Sequence, residues 1–332
     1  MYVYAGIDEA GYGPMYGPLV VGCSVLTMPD RPNNAKPPAM WELLSSAVCE
    51  RLRGRRGRIA INDSKKLTTK AAGIKHLELG LLAFAGTHGE VPTDAGRWLD
   101  GVGENRHRAT GRDGLANLPW YEPSDDRPWQ KLPSASTADE ITLASGMLGR
   151  ACSEAGVAFD RFAAQVIYED QFNHRVSLTH SKASVSFTAV ARHLVGVMRT
   201  YGQHHPHVAV DRQSGRSRYR DLLAQVFEGA SIDILGETGK ASAYRVEQGD
   251  RSLSVSFMVE AEQRHMPVAL ASMAAKYTRE LLMQRFNAYF GQVAPDVAPT
   301  AGYGTDANRW RDDMLPHLAN AGIDHADLRR VS

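Results

Sequence analysis

The sequence predicts an α/β fold. Short β-prone apolar runs alternate along the chain with longer segments whose apolar residues recur at helical spacing. No internal repeat or low-complexity tract interrupts that alternation. Several of the apolar runs end in carboxylates, which sets acidic groups at strand ends.

Residues 2–8 alternate and are β-prone. Gly11-Tyr12-Gly13-Pro14 and Gly17-Pro18 follow, then a second apolar run from Leu19 to Leu26, so two strands joined by a glycine/proline turn are expected. Residues 68–84 read as a helix with Leu77, Leu81 and Phe84 at apolar positions. Residues 137–155 read as another, opened by Ser136 or Thr137 as cap with Glu140 in the first turn. Between them, residues 86–136 are rich in Gly, Arg, Asp, Pro and Trp and show no period. They are expected to form an inserted loop or small subdomain within a single domain spanning 1–332. Strands are then expected at Ala164–Tyr168, Val208–Asp211, 231–235, 242–247 and 252–259. Helices are expected at Ser181–Tyr201, Arg218–Phe227, Val268–Phe290 and near 306–320.

Composition narrows the classes. Hydrophobic residues make up 43% and charged residues 23%, as in soluble globular proteins. No apolar run approaches the roughly 18 residues that span a bilayer, so no membrane partner is expected. Asp8 and Glu9 arrive before a signal-like hydrophobic region could form. Cys23, Cys49 and Cys152 fit neither a disulfide framework nor a zinc pattern, and a cytoplasmic location is expected. A net charge of +1 gives no global basic field, so any nucleic-acid surface must be local. Arg51, Arg53, Arg55, Arg56 and Arg58 lead into Asn62-Asp63-Ser64-Lys65-Lys66. Read alone they are a solvated loop, but their closeness to Asp-Ser-Lys-Lys favours phosphate binding.

Asp8 and Glu9 close the first strand, and Asp211 closes Val208-Ala209-Val210. An acid at a strand end is commonly a turn-former or helix cap. Buried carboxylates that converge repel one another unless a divalent ion lies between them, and oxygen-only ligands suit Mg²⁺ or Mn²⁺. Two such ions about 4 Å apart can activate a water and stabilise the leaving oxygen of a phosphodiester. Spacing alone does not show that positions 8, 211 and 280 meet. His204, His205 and His207 suggest zinc but have no fourth ligand nearby, so a surface loop is expected. Asp170, after Tyr168-Glu169, is expected to cap a helix. Trp98, Trp120, Tyr121 and Trp129 lie among arginines and suit either base stacking or packing.

The segment Gly6-Ile7-Asp8-Glu9-Ala10-Gly11-Tyr12-Gly13-Pro14, followed by Gly17-Pro18-Leu19-Val20-Val21, closely resembles the opening of type 2 ribonucleases H, the ribonucleases HII and HIII. Asn62-Asp63-Ser64-Lys65-Lys66-Leu67 resembles their second signature block, and Val208–Asp211 resembles the strand bearing their third acid. Ala271–Glu280 resembles the helix bearing the fourth, and Gly302-Tyr303-Gly304-Thr305 resembles a downstream glycine-tyrosine element. The resemblance covers nearly the whole chain in the family's order.

It implies a ribonuclease H-like fold, with a mixed central sheet flanked by helices and a metal centre at the strand ends. It implies cleavage of RNA within RNA–DNA hybrids, or at ribonucleotides embedded in duplex DNA, leaving 3′-hydroxyl and 5′-phosphate ends. By motif, Asp8, Glu9, Asp211 and Glu280 would be catalytic and would hold two divalent ions, Mg²⁺ or Mn²⁺. Gly11, Tyr12, Gly13, Ser64, Lys65, Lys66 and Thr278 would contact the substrate, and a monomer is expected. The alternative is a non-catalytic or differently specific nucleic-acid-binding protein on the same fold.

Two positions depart from the family pattern. Tyr12 stands where the HII branch has arginine between the two glycines, so a phosphate partner is lost there. Glu280 stands where that branch has aspartate, which resembles the HIII branch. The first motif begins at residue 6, so the N-terminal domain typical of ribonuclease HIII is not expected. The 86–136 insertion is expected to supply substrate contacts in its place.

Overall fold

The computed structural model describes residues 1–30, 37–89, 91–103, 118–212 and 215–331. A seven-stranded mixed sheet runs in the order β5 (Ala158–Ile167), β2 (Leu19–Met28), β1 (Tyr2–Ala10), β6 (His207–Asp211), β9 (Arg251–Met258), β8 (Ala241–Gln248), β7 (Ser231–Glu237). The β1–β6 and β6–β9 pairs are parallel, and the pairs β1–β2, β2–β5, β9–β8 and β8–β7 are antiparallel. Before β5 lie α1 (Met40–Leu43), the short parallel pair β3 (Val48–Cys49) and β4 (Ile59–Ala60), α2 (Ser64–Leu67), α3 (Lys75–Gly86), α4 (Ala95–Gly101) and α5 (Ala138–Ala155). After it come α6 (Glu169–Thr179), α7 (Lys182–Tyr201), α8 (Arg220–Val226), α9 (Met266–Val293), α10 (Gly304–Asn320) and α11 (His325–Leu328). No described helix is long and apolar enough to cross a membrane.

The sheet is buried on both faces because its central strands alternate apolar residues to each side. In β1, Tyr2 and Tyr4 join the core beneath α3, α5 and α9, while Val3, Ala5 and Ile7 join the core beneath α7 and α8. Helix α9 is apolar and buried on every side through its first part, Met266–Ala275, where Ser272 is the one polar side chain. It lies directly on β1 and β2, where a Cβ on Gly6 would fall 2.1 Å from the Pro267–Val268 backbone and one on Gly22 would fall 2.4 Å from the Ala271 carbonyl. Ser24, between them on the same face, donates its hydroxyl to the Pro267 carbonyl at 2.6 Å.

The expected elements form, with local shifts. Thr137 caps α5 in a full capping box with Glu140. The helix expected from residue 68 starts only at Lys75, because Thr68 is extended and Gly73 is left-handed (φ 52°). Asp170 is not a cap: Tyr168 takes that position and Asp170 sits in the first turn of α6. Within residues 86–136, positions 90 and 104–117 lie outside the described residues. The rest packs on the main core rather than on a core of its own. Trp98, Leu99, Trp120, Tyr121 and Leu132 belong to the same cluster as α9, and Arg285 binds the carbonyls of Tyr121, Glu122, Arg127 and Pro128. Trp98, Trp120 and Tyr121 therefore pack, while Trp129 stacks under Arg285. His207 stacks on Tyr2 and His205 pairs with Ser252, so the three histidines do not converge.

The close seating of α9 makes a direct prediction. Gly6→Ala should destabilise the fold by about 3 kcal/mol in chemical denaturation, the upper range for overpacking. Gly13→Ala, with open space around it, should cost far less. Acid sensitivity gives a second. Burial lowers the His265 pKa from 6.5 to about 4, beside the Tyr4 hydroxyl. The unfolded chain then binds the extra proton first as pH falls from 6.5 towards 4, so stability should fall across that window. Substituting His265→Gln should flatten that part of a stability-against-pH curve.

Candidate active site

Strand parity decides which acids meet. The β1–β6 register pairs Ile7 with Val210, so the next residues, Asp8 within β1 and Asp211 at the end of β6, lie side by side where the parallel pairing stops. Both lie on the α9 face, with Tyr4 and Ala209. Glu9 has the opposite parity, and its carboxylate accepts from Ser186 of α7 at 3.3 Å. Asp8 accepts from the Glu9 amide at 2.7 Å and from the Ser272 hydroxyl of α9. Asp211 accepts from the Ala261 amide at 3.0 Å.

These acids resist ionisation. Burial, then the charges of Asp211 and Glu9, raise the Asp8 pKa well above the usual carboxylate range. Burial, with the Glu262 carboxyl alongside, pushes Asp211 up to about 6 against the opposing pull of the Ala261 amide. Glu262 is itself buried, on a single 3₁₀ turn (Ala261–Gln263) that follows β9, the strand next to β6. Sequence reading missed it. Asp211 stands out because it closes a short apolar strand, and Glu260 and Glu262 follow the strand-like run Ser252–Val259 in a comparable way. Only the turn shows which of the two faces Asp211.

Glu280 lies further along α9, paired with basic side chains of its own helix. Helix α9 runs along β1 with 267–268 against Gly6, Ala271 and Ala275 against Gly22 (the partner of Asp8), and Arg279 against Gly11. Glu280 thus stands eight residues beyond Ser272, about 12 Å along the axis. Its carboxylate pairs with Lys276 at 2.6 Å and faces Arg279 at 4.0 Å. Among the described residues no three acidic, histidine or cysteine side chains stand close enough to close a metal cage as they lie. What the fold provides is a row of hard oxygen donors, Asp8–Asp211–Glu262, with Glu9 on the other side of β1.

The glycine turn after β1 is held from below by two buried arginines. Arg279 donates to the Tyr16 and Ala301 carbonyls at 3.0 and 3.2 Å and leaves no room for a Cβ on Gly11. Arg330, near the end of the chain, donates to the Gly11 carbonyl at 2.6 Å and the Pro14 carbonyl at 3.1 Å and stacks on Phe172. Gly11 itself adopts φ 84°, which only glycine takes freely. Tyr12 packs partly against the α7 face and Gly13 is exposed. Tyr303 lies over Arg279 and Lys276.

Ser64 is buried and bonded to Ser272, 3.2 Å between hydroxyls, so the second motif block hangs on the residue that contacts Asp8. Lys65 and Lys66 are exposed beside it, on α2 capped by Asp63. Thr278 requires correction as a substrate contact: it is fully buried and accepts the Trp98 indole N–H at 3.0 Å.

No protein-family model and no curated protein sequence matches the chain. It is similar to solved structures of ribonucleases H, three of which follow. Against ribonuclease HII of Archaeoglobus fulgidus, determined in complex with PCNA, identity is 16% over 99% of this chain and 94% of that one, with a TM-score of 0.42. Against ribonuclease H2 of Pyrococcus horikoshii, identity is 16% over 99% and 92%, with a TM-score of 0.46. Against Bst ribonuclease HIII in complex with Mn²⁺, identity is 13% over 99% and 66%, with a TM-score of 0.44. All three TM-scores lie below 0.5, and the function of this chain has to be read from its own residues.

If Asp8 and Asp211 repel across the strand ends, Asp8→Asn should melt higher than wild type in EDTA, by about 2–4 °C for each kcal/mol relieved. Adding Mn²⁺ should raise the wild-type midpoint and leave the variant unmoved in differential scanning fluorimetry. An equal response of both would place any metal elsewhere.

Proposed function

We propose that the chain is a divalent-metal-dependent endoribonuclease of the type 2 ribonuclease H kind. It would cleave RNA in RNA–DNA hybrids, or at ribonucleotides embedded in duplex DNA, leaving 3′-hydroxyl and 5′-phosphate ends. One observation carries the reading: Asp8 and Asp211 lie side by side on adjacent parallel strands with raised proton affinity, and Glu262 stands against Asp211. Mutually repelling buried carboxylates cost stability, and a protein with no use for a cation gains nothing by assembling them.

The donor chemistry fits Mg²⁺ or Mn²⁺, which prefer carboxylate oxygen. Asp8, Asp211 and Glu262 would hold the metal, with Glu9 reaching it from the far face of β1. Glu262 replaces Glu280 as the fourth acid in this proposal, because Glu280 is committed to Lys276. When bound, the metal supplies an activated water and stabilises the leaving oxygen. The chain's own residues orient and exclude. Ser272 and the Glu9 amide fix Asp8, and the Ala261 amide fixes Asp211. Lys65 and Lys66 offer exposed cations to backbone phosphates. The Gly11–Gly13 turn, stripped of side-chain bulk at both glycines, offers its backbone to the sugar edge, with Tyr12 between them. A cytoplasmic, monomeric enzyme belongs to the same proposal, and its three cysteines are free.

Cleavage of end-labelled duplexes in Mg²⁺ and in Mn²⁺ tests this. One duplex carries a single ribonucleotide, one is an RNA–DNA hybrid and one is all DNA. Wild type should cut a ribonucleotide-containing duplex, and Asp8→Asn and Glu262→Gln should each lose at least about 100-fold (roughly 2.7 kcal/mol of transition-state stabilisation). Glu280→Gln should stay within a few-fold. The reverse ranking of the two glutamates would return Glu280 to the centre. Tight binding by wild type without cleavage of any duplex would leave a non-catalytic binder.

A further inference from the structure

Away from the carboxylates, the strongest local charge lies between Leu44 and Asn62. That stretch carries five arginines and one acid, Glu50. Its arginines divide by structure. Arg58 folds back onto its own loop, donating to the Arg55 and Ser45 carbonyls at 3.1 and 3.2 Å. Arg55 is half-buried, and its charge reaches His76 and Glu140. Arg51, Arg53 and Arg56 are exposed, and among the described residues none of the three has an acidic partner.

The turn that presents them is built rather than slack. Gly54, Arg56 and Gly57 all take left-handed backbone (φ 75°, 49° and 84°), and the Arg58 amide closes onto the Arg55 carbonyl at 2.9 Å. For Arg56 that conformation is unfavourable, so the surrounding bonds hold it there. The base of the turn is tied to the site. Asn62 donates its side-chain amide to the Glu50 carbonyl at 2.7 Å, and two residues later Ser64 bonds Ser272, the partner of Asp8. Ser64 lies eight residues after Arg56, the nearest of the three exposed arginines in sequence, at most about 29 Å of extended chain. That span is about eight base-pair steps along a duplex.

We propose that the Arg51–Arg58 turn is a second nucleic-acid contact, gripping substrate phosphates within about one helical turn of the cut. The proposal rests on the nuclease reading above and adds where the rest of the duplex lies. Three unpaired guanidinium groups on one turn suit phosphate oxygens, which arginine binds in a bidentate fork. A lipid surface fits poorly, since Leu52, the one large apolar residue between Arg51 and Arg58, packs against the core and leaves nothing to insert. Contacts of this kind hold the duplex in register without reading its sequence.

The test is the salt dependence of binding, read by fluorescence anisotropy in EDTA with a 20-base-pair RNA–DNA hybrid and the matching all-DNA duplex. The variant Arg51→Ala/Arg53→Ala/Arg56→Ala should lower the slope of log K against log salt by about 2–3, near 0.9 for each phosphate released, on both duplexes. The triple Arg→Lys variant should keep most of the slope, because counterion release counts charge. In turnover, the alanine variant should raise KM by about 10- to 100-fold at 0.1 M salt and leave kcat within about two-fold. An unchanged melting midpoint checks that it folds. A slope within about 0.5 of wild type on both duplexes would overturn the proposal, whether or not the enzyme cleaves. A changed slope with no wild-type cleavage would sink the nuclease reading and keep the contact. Loss of binding to anionic vesicles with the duplex slope intact would assign the turn to a membrane and also overturn it.

Discussion

The arrangement of this protein follows from how closely α9 sits on β1 and β2. Gly6 and Gly22 have no side chains, so the backbone of the helix rests on the backbone of the sheet. Every later feature depends on that contact. It brings Ser272 against Asp8, and Ser272 in turn anchors Ser64. It places Arg279 under Gly11, two turns further on. It buries Tyr277 and Thr278, whose partners Glu78 and Trp98 tie in α3 and α4. A side chain at either glycine would lift the helix and disturb the carboxylates, the glycine turn and the core together.

Charge is sorted by the same geometry. Acids gather at the ends of the parallel strands, where burial and mutual repulsion raise their pKa values. Buried cations gather under the glycine turn. Burial lowers the Arg330 pKa to about 10, with Arg279 pushing the same way and Glu169 opposing. Backbone carbonyls of the turn accept hydrogen bonds from both guanidiniums, so the turn is fastened at Gly11, Pro14 and Tyr16. Glu169 completes the set by accepting from the Gly17 amide and the Tyr121 hydroxyl at 2.8 and 2.7 Å. With tyrosine at position 12, positive charge stands beneath the turn instead of on it. Exposed cations lie elsewhere, at Lys65, Lys66 and the arginine turn, all joined to the site through the segment 58–64.

The residues 86–136 show how composition misleads about architecture. Glycine, proline and charge mark an irregular segment, and it is irregular. Its tryptophans and Tyr121 are nevertheless core residues of the main domain, and Arg285 of α9 holds the carbonyls around them. Sequence distance from other apolar runs hides this, because the partners lie on a helix more than 150 residues later.

Sequence by itself determined the local order. Alternation gave β1 and the strand at 252–259, and the apolar run after the glycine/proline turn gave β2. Helical spacing and the Thr137–Glu140 capping box gave α5, α7 and α9 nearly to the residue. Local periodicity records which face of an element is apolar, and motif order pointed to Asp8, Glu9 and Asp211. The α/β class with a mixed central sheet flanked by helices forms as the sequence indicated. Tertiary structure decided everything that depends on parity and distance between elements. The β1–β6 register set Asp8 beside Asp211, and the two-residue repeat of a strand turned Glu9 to the other face. The turn after β9 raised Glu262 against Asp211, while the pitch of α9 carried Glu280 about 12 Å past Ser272 and buried Thr278. No local pattern encodes these outcomes, because each is fixed by how two distant segments lie against each other.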